Sequence, residues 1–248
     1  MALLELDHVR KRFGQILIAE DVCLSVEAGA AVGIVGPNGA GKTTLFAIVS
    51  GDLAPDGGRV LLDGRPVTRL DSAARCRLGV GRTYQVPRPF EGMTVFENVL
   101  LGAQQGTGAR GRAAHSIAVG VLERTGLRAD ANRPAGQLGL LARKRLEMAR
   151  ALATGPRLLL LDEVAGGLTE PEVDEVVALV AGARSEGIAV VWIEHVVRAL
   201  LASVERLICL AGGRVLVDGP PAEVVGHQAV REVYFGGVAP TTATLSLS

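Results

Sequence analysis

The chain has 248 residues, of which 48% are hydrophobic and only 3% aromatic, so a packed interior has to be built mainly from aliphatic side chains. The formal net charge is zero, which gives no support for nucleic acid as a partner. Three scattered cysteines exclude a disulfide framework and favour single reduced thiols. Because no apolar run approaches the ~18–20 residues that cross a bilayer, any membrane role is expected to depend on a partner.

The first third of the chain is dominated by alternating and apolar segments, which predict strands. A hairpin is expected around Asp63-Gly64, and Asp71 is expected to cap a short helix. The predicted strands are Leu3–Val9, Ala19–Val26, Ala30–Val35, Arg59–Asp63 and Val80–Gln85, and the short helix is Asp71–Arg77.

The segment from Pro87 to about Arg150 has helical spacing and predicts a helical insertion. Its predicted helices are Thr94–Gly102, Ala113–Thr125 and Leu138–Ala153. The stretch Gln104–Arg112 is rich in Gly and Arg and has no apolar face, so it predicts a loose connection between two helices.

Buried strands alternate with helices after residue 150, which predicts an α/β fold with a mostly parallel, covered sheet. The predicted strands are Arg157–Glu163, Ala189–Ile193, Arg206–Ala211 and Arg214–Val217, and the predicted helices are Pro171–Glu186, Val196–Ser203, Pro220–Gly226 and Ala229–Phe235. We expect one domain over residues 1–236, with a core of 1–86 and 151–236, a helical subdomain at about 87–150, and a flexible tail at 237–248.

The stretch GPNGAGKTT, at Gly36–Thr44, has the spacing G-x-x-x-x-G-K-[ST] of a phosphate-binding loop. It joins a predicted buried strand to a predicted helix, so backbone N–H groups and the positive end of the helix dipole would face a phosphate. All fixed positions are filled, which argues against a turn that binds nothing. The predicted nucleotide-binding residues are Gly36, Pro37, Asn38, Gly39, Ala40, Gly41, Lys42, Thr43 and Thr44, with Lys42 on the β- and γ-phosphates and the Thr43 hydroxyl on Mg²⁺.

The second strong motif is LLLLDE, at Leu158–Glu163. Two carboxylates directly after four buried leucines cost several kcal/mol each to desolvate unless something pairs with them. A phosphate-bound Mg²⁺ is a fitting partner, so we predict that Asp162 holds the ion, directly or through water. Glu163 is then expected to act as the base or orienter of the attacking water. The alternative is a pair of carboxylates that cap the strand in solvent.

Three further side chains are interpreted as functional only because these two motifs are present. His195 follows the strand Ala189–Ile193, at the end of the sheet where ligands of such folds bind, although an isolated His in this place is more often a capping or packing residue. Gln85 ends another predicted strand, although a lone Gln is normally a surface amide. Phe13 belongs either to the core or to a stacking contact with a base.

Together these motifs resemble the ATP-binding subunit of ABC transporters, from about Leu3 to Gly236. The resemblance is carried by KRFG at Lys11–Gly14, GPNGAGKTT, RTYQ at Arg82–Gln85, LLLLDE, IEH at Ile193–His195 and RLEMARAL at Arg145–Leu152. Three stretches, RTYQVPRPFEGMTVFENVLLGA, DEVAGGLTEPE and EVYFGG, are similar to importers for branched-chain amino acids, and relatives that serve urea, amides or other amino acids look similar. The resemblance implies a P-loop NTPase (RecA-like) core with an antiparallel β edge.

The resemblance also implies roles for residues of this chain, with ATP and Mg²⁺ as cofactors. These are adenine stacking for Phe13, phosphate binding for Lys42 and the loop amides, Mg²⁺ binding for Thr43, Gln85 and Asp162, polarisation of water for Glu163, and contact with the γ-phosphate for His195.

Two ATP-binding subunits are expected to close head to tail around two ATP molecules. Each ATP would lie between one phosphate loop and the other subunit's signature sequence, and closure would drive a membrane permease contacted near Gln85–Asn98. A periplasmic or extracellular solute-binding protein would take part indirectly. The chain is therefore expected at the cytoplasmic face of the cell membrane, as a peripheral protein.

The sequence departs from the family at the signature, where the consensus L-S-G-G-Q is replaced by Leu138-Gly139-Leu140-Leu141-Ala142. The serine hydroxyl is missing and both glycines are leucines, while Thr169 stands where the family usually has Asp. We therefore expect a heterodimer with a partner that has a full signature. The alternative is a fully active homodimer in which this variant is tolerated.

Other functions remain as alternatives. A regulatory subunit that binds ATP but hydrolyses it weakly fits the altered signature, although Glu163 and His195 argue against it. A soluble ABC ATPase without a transport role usually carries two nucleotide domains or a long coiled-coil insertion, and 248 residues hold neither. A GTPase is not expected, because the guanine-reading motif N-K-x-D is missing.

Overall fold

The structure, a computed structural model, describes residues 2–235. Gly236 and the predicted flexible tail at 237–248 lie outside the described residues. The strands are β1 Ala2–Phe13, β2 Ile16–Glu27, β3 Ala31–Val35, β4 Gly57–Leu62, β5 Arg65–Pro66, β6 Val80–Arg82, β7 Leu158–Asp162, β8 Ala189–Ile193, β9 Arg206–Ala211 and β10 Arg214–Gly219. The helices are α1 Lys42–Ser50, α2 Ser72–Arg77, α3 Val95–Thr107, α4 Gly111–Arg124, α5 Leu140–Ala153, α6 Glu170–Ser185, α7 Val197–Ser203, α8 Pro221–Gly226 and α9 Gln228–Phe235.

Within residues 2–235, the larger sheet has the strand order β10-β9-β3-β8-β7-β6. Five strands of this sheet are parallel to one another, namely β9, β3, β8, β7 and β6. The edge strand β10 pairs antiparallel with β9. A second, antiparallel sheet has the order β2-β1-β4-β5. This architecture confirms the predicted α/β class with a mostly parallel sheet, an antiparallel edge and an inserted helical subdomain.

The leucine run of β7 shows why the parallel sheet is buried on both faces. Successive side chains of a strand point to opposite faces. Leu158 and Leu160 join a buried cluster with the antiparallel sheet and α1. Leu159 and Leu161 join the other cluster, which contains apolar residues of α5 and α6. A continuous apolar strand is therefore what a sheet covered on two sides requires.

The helical subdomain consists of α3, α4 and α5, which lie between β6 and β7 in the chain. The predicted loose connection at Gln104–Arg112 is wrong, since α3 continues to Thr107 and α4 begins at Gly111. One glycine of this stretch, Gly106, allows close packing between helices, whereas Gly108 ends α3 in a left-handed conformation. A Cβ on Gly106 would lie 2.4 Å from Cα of Thr154, just after the end of α5. Within residues 2–235, no helix combines the length and the apolarity that crossing a membrane requires.

Candidate active site

The segment Gly36–Thr44 forms a tight loop that leads from β3 into the first residues of α1. Gly41 has a φ of 93°, and a Cβ at this position would lie 2.5 Å from the carbonyl oxygen of Ile18. A Cβ on Gly36 would lie 2.2 Å from the carbonyl oxygen of Leu210. Glycine is therefore needed at both ends of the loop, because β2 and β9 approach its backbone too closely for any side chain.

Lys42 is the charged residue of this loop, and its side chain is buried. Its Nζ donates to the carbonyl oxygens of Gly36 at 2.6 Å and Pro37 at 3.1 Å. Burial lowers the pKa of Lys42, and the charges of Glu163 and Asp162 oppose this shift. An ammonium group has three N–H donors, so two carbonyl contacts leave donor capacity for an anion.

The loop borders a cavity of about 250 Å³. Among the described residues, its wall is formed by Ile18, Asn38, Gly39, Ala40, Gly41, Lys42, Thr43, Thr44, Gln85 and Glu163. A neighbouring cavity of about 430 Å³ shares Thr43 and Gln85 and is also lined by Asp162. The structure thus brings the predicted phosphate loop and the predicted metal and catalytic residues to one place.

Glu163 connects the side chains that follow three strands of the parallel sheet. Its Oε2 accepts a hydrogen bond from Gln85 Nε2 at 2.5 Å, and its Oε1 lies 2.9 Å from His195 Nε2. The backbone of Glu163 has a φ of 50°, which is uncommon for a residue with a side chain. Its N–H donates to the carbonyl oxygen of Ile193 at 2.9 Å, which helps to hold this conformation.

Asp162 is buried directly before Glu163. Its Oδ2 lies 3.4 Å from Arg82 Nη2, whereas Oδ1 is buried and has no hydrogen-bond partner among the described residues. Burial raises the pKa of Asp162, and the charge of Arg82 opposes this shift. A buried carboxylate oxygen without a partner next to a cavity lined by Thr43 fits the oxygen ligands that Mg²⁺ prefers.

The comparisons with known proteins agree with this geometry. The sequence matches the family described as ABC transporter over residues 19–166, and the family described as branched-chain amino acid ATP-binding cassette transporter over residues 214–240. The chain is 36% identical to the high-affinity branched-chain amino acid transport ATP-binding protein BraF of Pseudomonas aeruginosa, over 94% of this chain and 98% of BraF. It is also 36% identical to the lipopolysaccharide export system ATP-binding protein LptB of Acidithiobacillus ferridurans, over 94% of this chain and 97% of LptB.

Solved structures show the same fold. An ATP-binding cassette of an ABC transporter in its ADP conformation superimposes with a TM-score of 0.87 and 28% identity, covering 95% of this chain and 99% of that one. A dimeric ATP-binding cassette in a post-hydrolysis state, bound to ADP and phosphate, has a TM-score of 0.79 and 26% identity, covering 88% and 98%. The chain belongs to the ABC transporter ATP-binding family. It is therefore a nucleotide-binding ATPase with a P-loop fold.

Of the residues predicted for this ABC ATPase, Gln85 lies elsewhere than the sequence pattern placed it, and Phe13 does not belong to the core. Strand β6 ends at Arg82, so Gln85 is not at a strand end as predicted but three residues further along. It still reaches Glu163, because the backbone leaves the sheet after Thr83, whose N–H donates to the carbonyl oxygen of Leu160. Phe13 is 49% exposed at the end of β1. Among the described residues, the wall of the cavity beside the phosphate loop contains Ile18 of β2 and not Phe13. Its stacking role remains a prediction.

Sequence reasoning missed two buried residues behind the site. Lys144 is on α5, and the sequence places it on the polar side of that helix, yet it is buried and its Nζ donates to the carbonyl oxygen of Glu163 at 2.9 Å. Glu194 is buried too, accepting from the N–H groups of Ala165 at 2.8 Å and His195 at 3.0 Å. The scarcity of lysine could have indicated Lys144. A carboxylate directly after an apolar strand, as in Asp162, could have indicated Glu194.

The altered signature of this ABC ATPase lies where α5 begins. Gly139 is the N-cap residue of α5, and no side chain of the described residues caps this helix end. Leu140 follows with 48% of its surface exposed, whereas Leu141 packs against the core. Arg143 holds the preceding loop by donating to the carbonyl oxygens of Leu138 and Gly136 at 2.8 and 2.7 Å. The segment is well anchored although it lacks the family's serine and glycines.

Proposed function

We propose that this chain hydrolyses ATP to power an importer for branched-chain amino acids or related small polar solutes. The observation that carries the solute class is the match of residues 214–240 to the branched-chain cassette family, together with the similarity to BraF over nearly the whole chain. The chain is equally identical to the lipopolysaccharide export protein LptB, so lipopolysaccharide is the competing solute in the experiment below.

The arrangement around Glu163 supports a specific division of labour. The loop amides and Lys42 bind the phosphates of ATP, and Thr43, Gln85 and Asp162 hold Mg²⁺. When bound, Mg²⁺ neutralises charge on the phosphates. Adenine would stack on Phe13, which is exposed and therefore accessible to a base.

Glu163 orients the attacking water and accepts its proton, and His195 contacts the γ-phosphate. The 2.9 Å contact between Glu163 Oε1 and His195 Nε2 supports this assignment, because it fixes the direction of the carboxylate beside the phosphate loop. Gln85 donates to the other carboxylate oxygen of Glu163, so this proposed metal ligand is in direct contact with the proposed base.

The chain would work as half of a dimer, with a different subunit as the favoured partner. Its own ATP would face the partner's signature and be hydrolysed normally. The partner's ATP would face Gly139–Ala142, which lacks the serine hydroxyl and exposes Leu140 at the start of α5. That second site would turn over slowly.

The permease would contact the segment Gln85–Asn98. A cavity of about 340 Å³ opens beside this segment, between the α/β core and the helical subdomain, with Tyr84, Phe90 and Asn98 in its wall. Phe90 is among the large apolar side chains that are exposed. The chain would therefore sit as a peripheral protein at the cytoplasmic face of the membrane, with a solute-binding protein acting on the permease from the other side.

Co-purification of the chain with its membrane permease and second ATPase subunit tests this proposal. In proteoliposomes, branched-chain amino acids with the matching solute-binding protein are expected to stimulate ATP hydrolysis and to accumulate inside. Stimulation by a sugar or a lipopolysaccharide instead would contradict the solute class.

Glu163→Gln in this subunit is expected to abolish most hydrolysis, whereas the equivalent change in the partner is expected to have little effect. Glu170→Gln, at an exposed carboxylate at the start of α6, is the matched control. Equal losses from the two active-site changes would contradict the asymmetric dimer. A mixed dimer that binds ATP but hydrolyses it only at the partner's own phosphate loop would favour the regulatory subunit.

A further inference from the structure

The antiparallel sheet contains a β-bulge whose residues do not line the cavity beside the phosphate loop. Leu6 pairs with Leu24 and Val9 pairs with Val22, so two residues of β1, Asp7 and His8, face the single residue Cys23 of β2. Successive side chains of a regular strand point to opposite faces, and an inserted residue breaks this alternation. His8 also has a φ of 52°. The bulge therefore brings three side chains that can bind metals to one exposed place.

The ligand atoms of these three residues are close together. One carboxylate oxygen of Asp7, one ring nitrogen of His8 and Sγ of Cys23 all lie within 4.8 Å of one another. His8 Nε2 is 3.7 Å from Asp7 Oδ1. Three ligand side chains that lie close together can hold a metal ion. Among the described residues, Asp7, His8 and Cys23 are the one group of His, Cys, Asp and Glu side chains that meets this condition.

A second bulge supplies the partner that orients the imidazole. Val9 pairs with Val22 and Lys11 pairs with Ala19, so β2 has the extra residue here, and Asp21 has a φ of 61°. Asp21 Oδ1 lies 3.1 Å from His8 Nδ1. A proton on Nδ1, held by this carboxylate, leaves the lone pair of Nε2 directed to the side of Asp7. Metal-binding histidines are oriented by carboxylates in the same manner.

Neighbouring groups leave the ligand atoms available. Arg59 donates to Oδ2 of Asp7, which leaves Oδ1 on the side of His8. Arg10 donates to Asp21 at 2.9 Å and fixes that carboxylate. The backbone N–H of His8 donates to Cys23 Sγ at 3.3 Å, a contact that holds the sulfur beside the bulge. The His8 side chain is 64% exposed, so an ion can enter from solvent.

We propose that Asp7, His8 and Cys23 bind a zinc-class divalent ion, with water in the fourth position. One sulfur, one imidazole nitrogen and one carboxylate oxygen form a donor set that suits Zn²⁺ and Co²⁺ and not Mg²⁺ or Ca²⁺. Binding releases the Cys23 proton to solvent, and the ion joins the two bulged strands. The site lies apart from the phosphate loop and is independent of the proposed transport function.

Titration of the metal-free full chain tests the site, with saturating Mg²⁺ and ADP present to occupy the nucleotide site. Co²⁺ is expected to bind once per chain and to give a thiolate-to-cobalt absorption band. Zn²⁺ is expected to displace it and to raise the thermal midpoint. Asp21→Asn is expected to weaken binding by about 10- to 100-fold while one ion per chain still binds, because the imidazole loses the carboxylate that orients it.

Cys23→Ser and His8→Ala are the decisive variants, and both positions are exposed, so the fold is expected to tolerate them. The cobalt band is expected to disappear in Cys23→Ser and to remain in the matched controls Cys76→Ser and Cys209→Ser. Absence of the band in the unaltered chain overturns the proposal. A band that survives Cys23→Ser, or Zn²⁺ affinity that is unchanged in His8→Ala, overturns it as well.

Discussion

Lys144 Nζ donates a hydrogen bond to the backbone carbonyl oxygen of Glu163 at 2.9 Å. Lys144 belongs to α5, the helix that follows the signature segment, and Glu163 has an uncommon φ of 50°. Burial lowers the pKa of Lys144, and the charges of Glu194 and Glu163 oppose this shift. The signature helix is thus joined within one subunit to the residue proposed as the base.

Lys144→Met is expected to lower kcat for ATP hydrolysis by about 10-fold, because a charge-assisted hydrogen bond of about 1.5–3 kcal/mol no longer supports the backbone of Glu163. The KM for ATP is expected to change little, since Lys42 and the loop amides, and not Lys144, are the residues proposed to bind the phosphates. Steady-state ATPase kinetics measure both values.

The free energy of unfolding is expected to stay nearly constant in Lys144→Met, because desolvation of the buried ammonium offsets most of its contact. Lys144→Arg, which keeps a charged donor, is the control and should retain more activity than Lys144→Met. A parallel fall of kcat and stability in Lys144→Met would indicate a purely structural role and contradict the prediction.

Asp162→Asn is expected to stabilise the nucleotide-free protein at pH 7. Burial raises the pKa of Asp162 above its ordinary value of 3.8, so the charged form costs free energy in the folded state at neutral pH. The cost disappears as the pH falls through the raised pKa, so the advantage of the variant should fade in the same direction. Arg82 keeps its ion pair with Asp52 at 2.8 Å in the variant.

Chemical denaturation from pH 7 to pH 4 measures this effect. The free energy of unfolding is expected to rise by about 1 kcal/mol at pH 7, which is at the low end of the gains seen when a buried charge is replaced by a neutral side chain. ATP is expected to stabilise the unaltered protein more when Mg²⁺ is present. The variant should lose this additional stabilisation of the protein. A variant that is less stable than the unaltered chain at pH 7 would show that the Asp162 carboxylate is fully paired in the folded state. A variant that keeps the Mg²⁺ effect would show that Asp162 does not bind the metal.

The sequence was sufficient to predict which motifs meet, because strand order and direction constrain their ends. Strands β7 and β8 are parallel neighbours, so Glu163 and His195, which follow them, emerge at the same edge of the sheet. The spacing of the phosphate loop likewise depends on local backbone geometry, which Gly36 and Gly41 determine. The residue spacing of the motif is enough to recognise the loop, although the close approach of β9 to Gly36 and of β2 to Gly41 appears only in the folded chain.

Features that depend on packing between distant segments were not predictable. The position of Lys144 behind Glu163 depends on how α5 rests against the sheet, and a helical wheel places it on the polar side. Gly106 was interpreted as a loop residue, because its role as a contact with Thr154 appears only when α3 and α5 are packed together. The bulge at His8 did leave a trace in the sequence, since Leu6 is followed by Val9 and not by an apolar residue two positions on, but this shift does not show that Cys23 and Asp7 come together.

Glu147 joins the proposed permease-contact segment to the signature helix. Its Oε1 accepts from the backbone N–H of Arg88 at 2.6 Å, and Arg150 Nη1 donates to Glu147 Oε1 at 2.9 Å and to the carbonyl oxygen of Arg88 at 2.7 Å. Glu147→Ala leaves the N–H of Arg88 without this acceptor and leaves Arg150 Nη1 with only the carbonyl oxygen of Arg88. It is expected to cost about 1–3 kcal/mol of stability and to remove most stimulation of ATP hydrolysis by the permease.

The ratio of permease-stimulated to basal ATPase rates checks the effect of Glu147→Ala. Basal hydrolysis should change much less than this ratio, because Glu147 is not part of the wall of the cavity beside the phosphate loop. Glu147→Gln keeps one acceptor oxygen and serves as the control with partial coupling. An unchanged ratio in Glu147→Ala would place the permease contact elsewhere.

Gly139→Ser restores the missing signature hydroxyl without disturbing the structure. Gly139 has a φ of −70°, and a Cβ there would meet no heavy atom within 4 Å in the part of the chain that the structure describes. The serine can also cap α5, which should add a few tenths of a kcal/mol to stability. Restoring glycine at Leu141 is a poorer test, because this side chain packs against the core.

The effect of Gly139→Ser on turnover is best measured in a mixed dimer that also carries Glu163→Gln, where the remaining hydrolysis is expected to come from the partner's ATP opposite this signature. We expect the rate to rise by about 3- to 10-fold, the worth of one added hydrogen bond of about 1 kcal/mol to a phosphate. Gly182→Ser, at an exposed position of α6 where a Cβ also meets open space among the described residues, is the matched control. If both serine variants leave the rate unchanged, the altered signature is not what limits that site, and the preference for a heterodimer loses its physical basis.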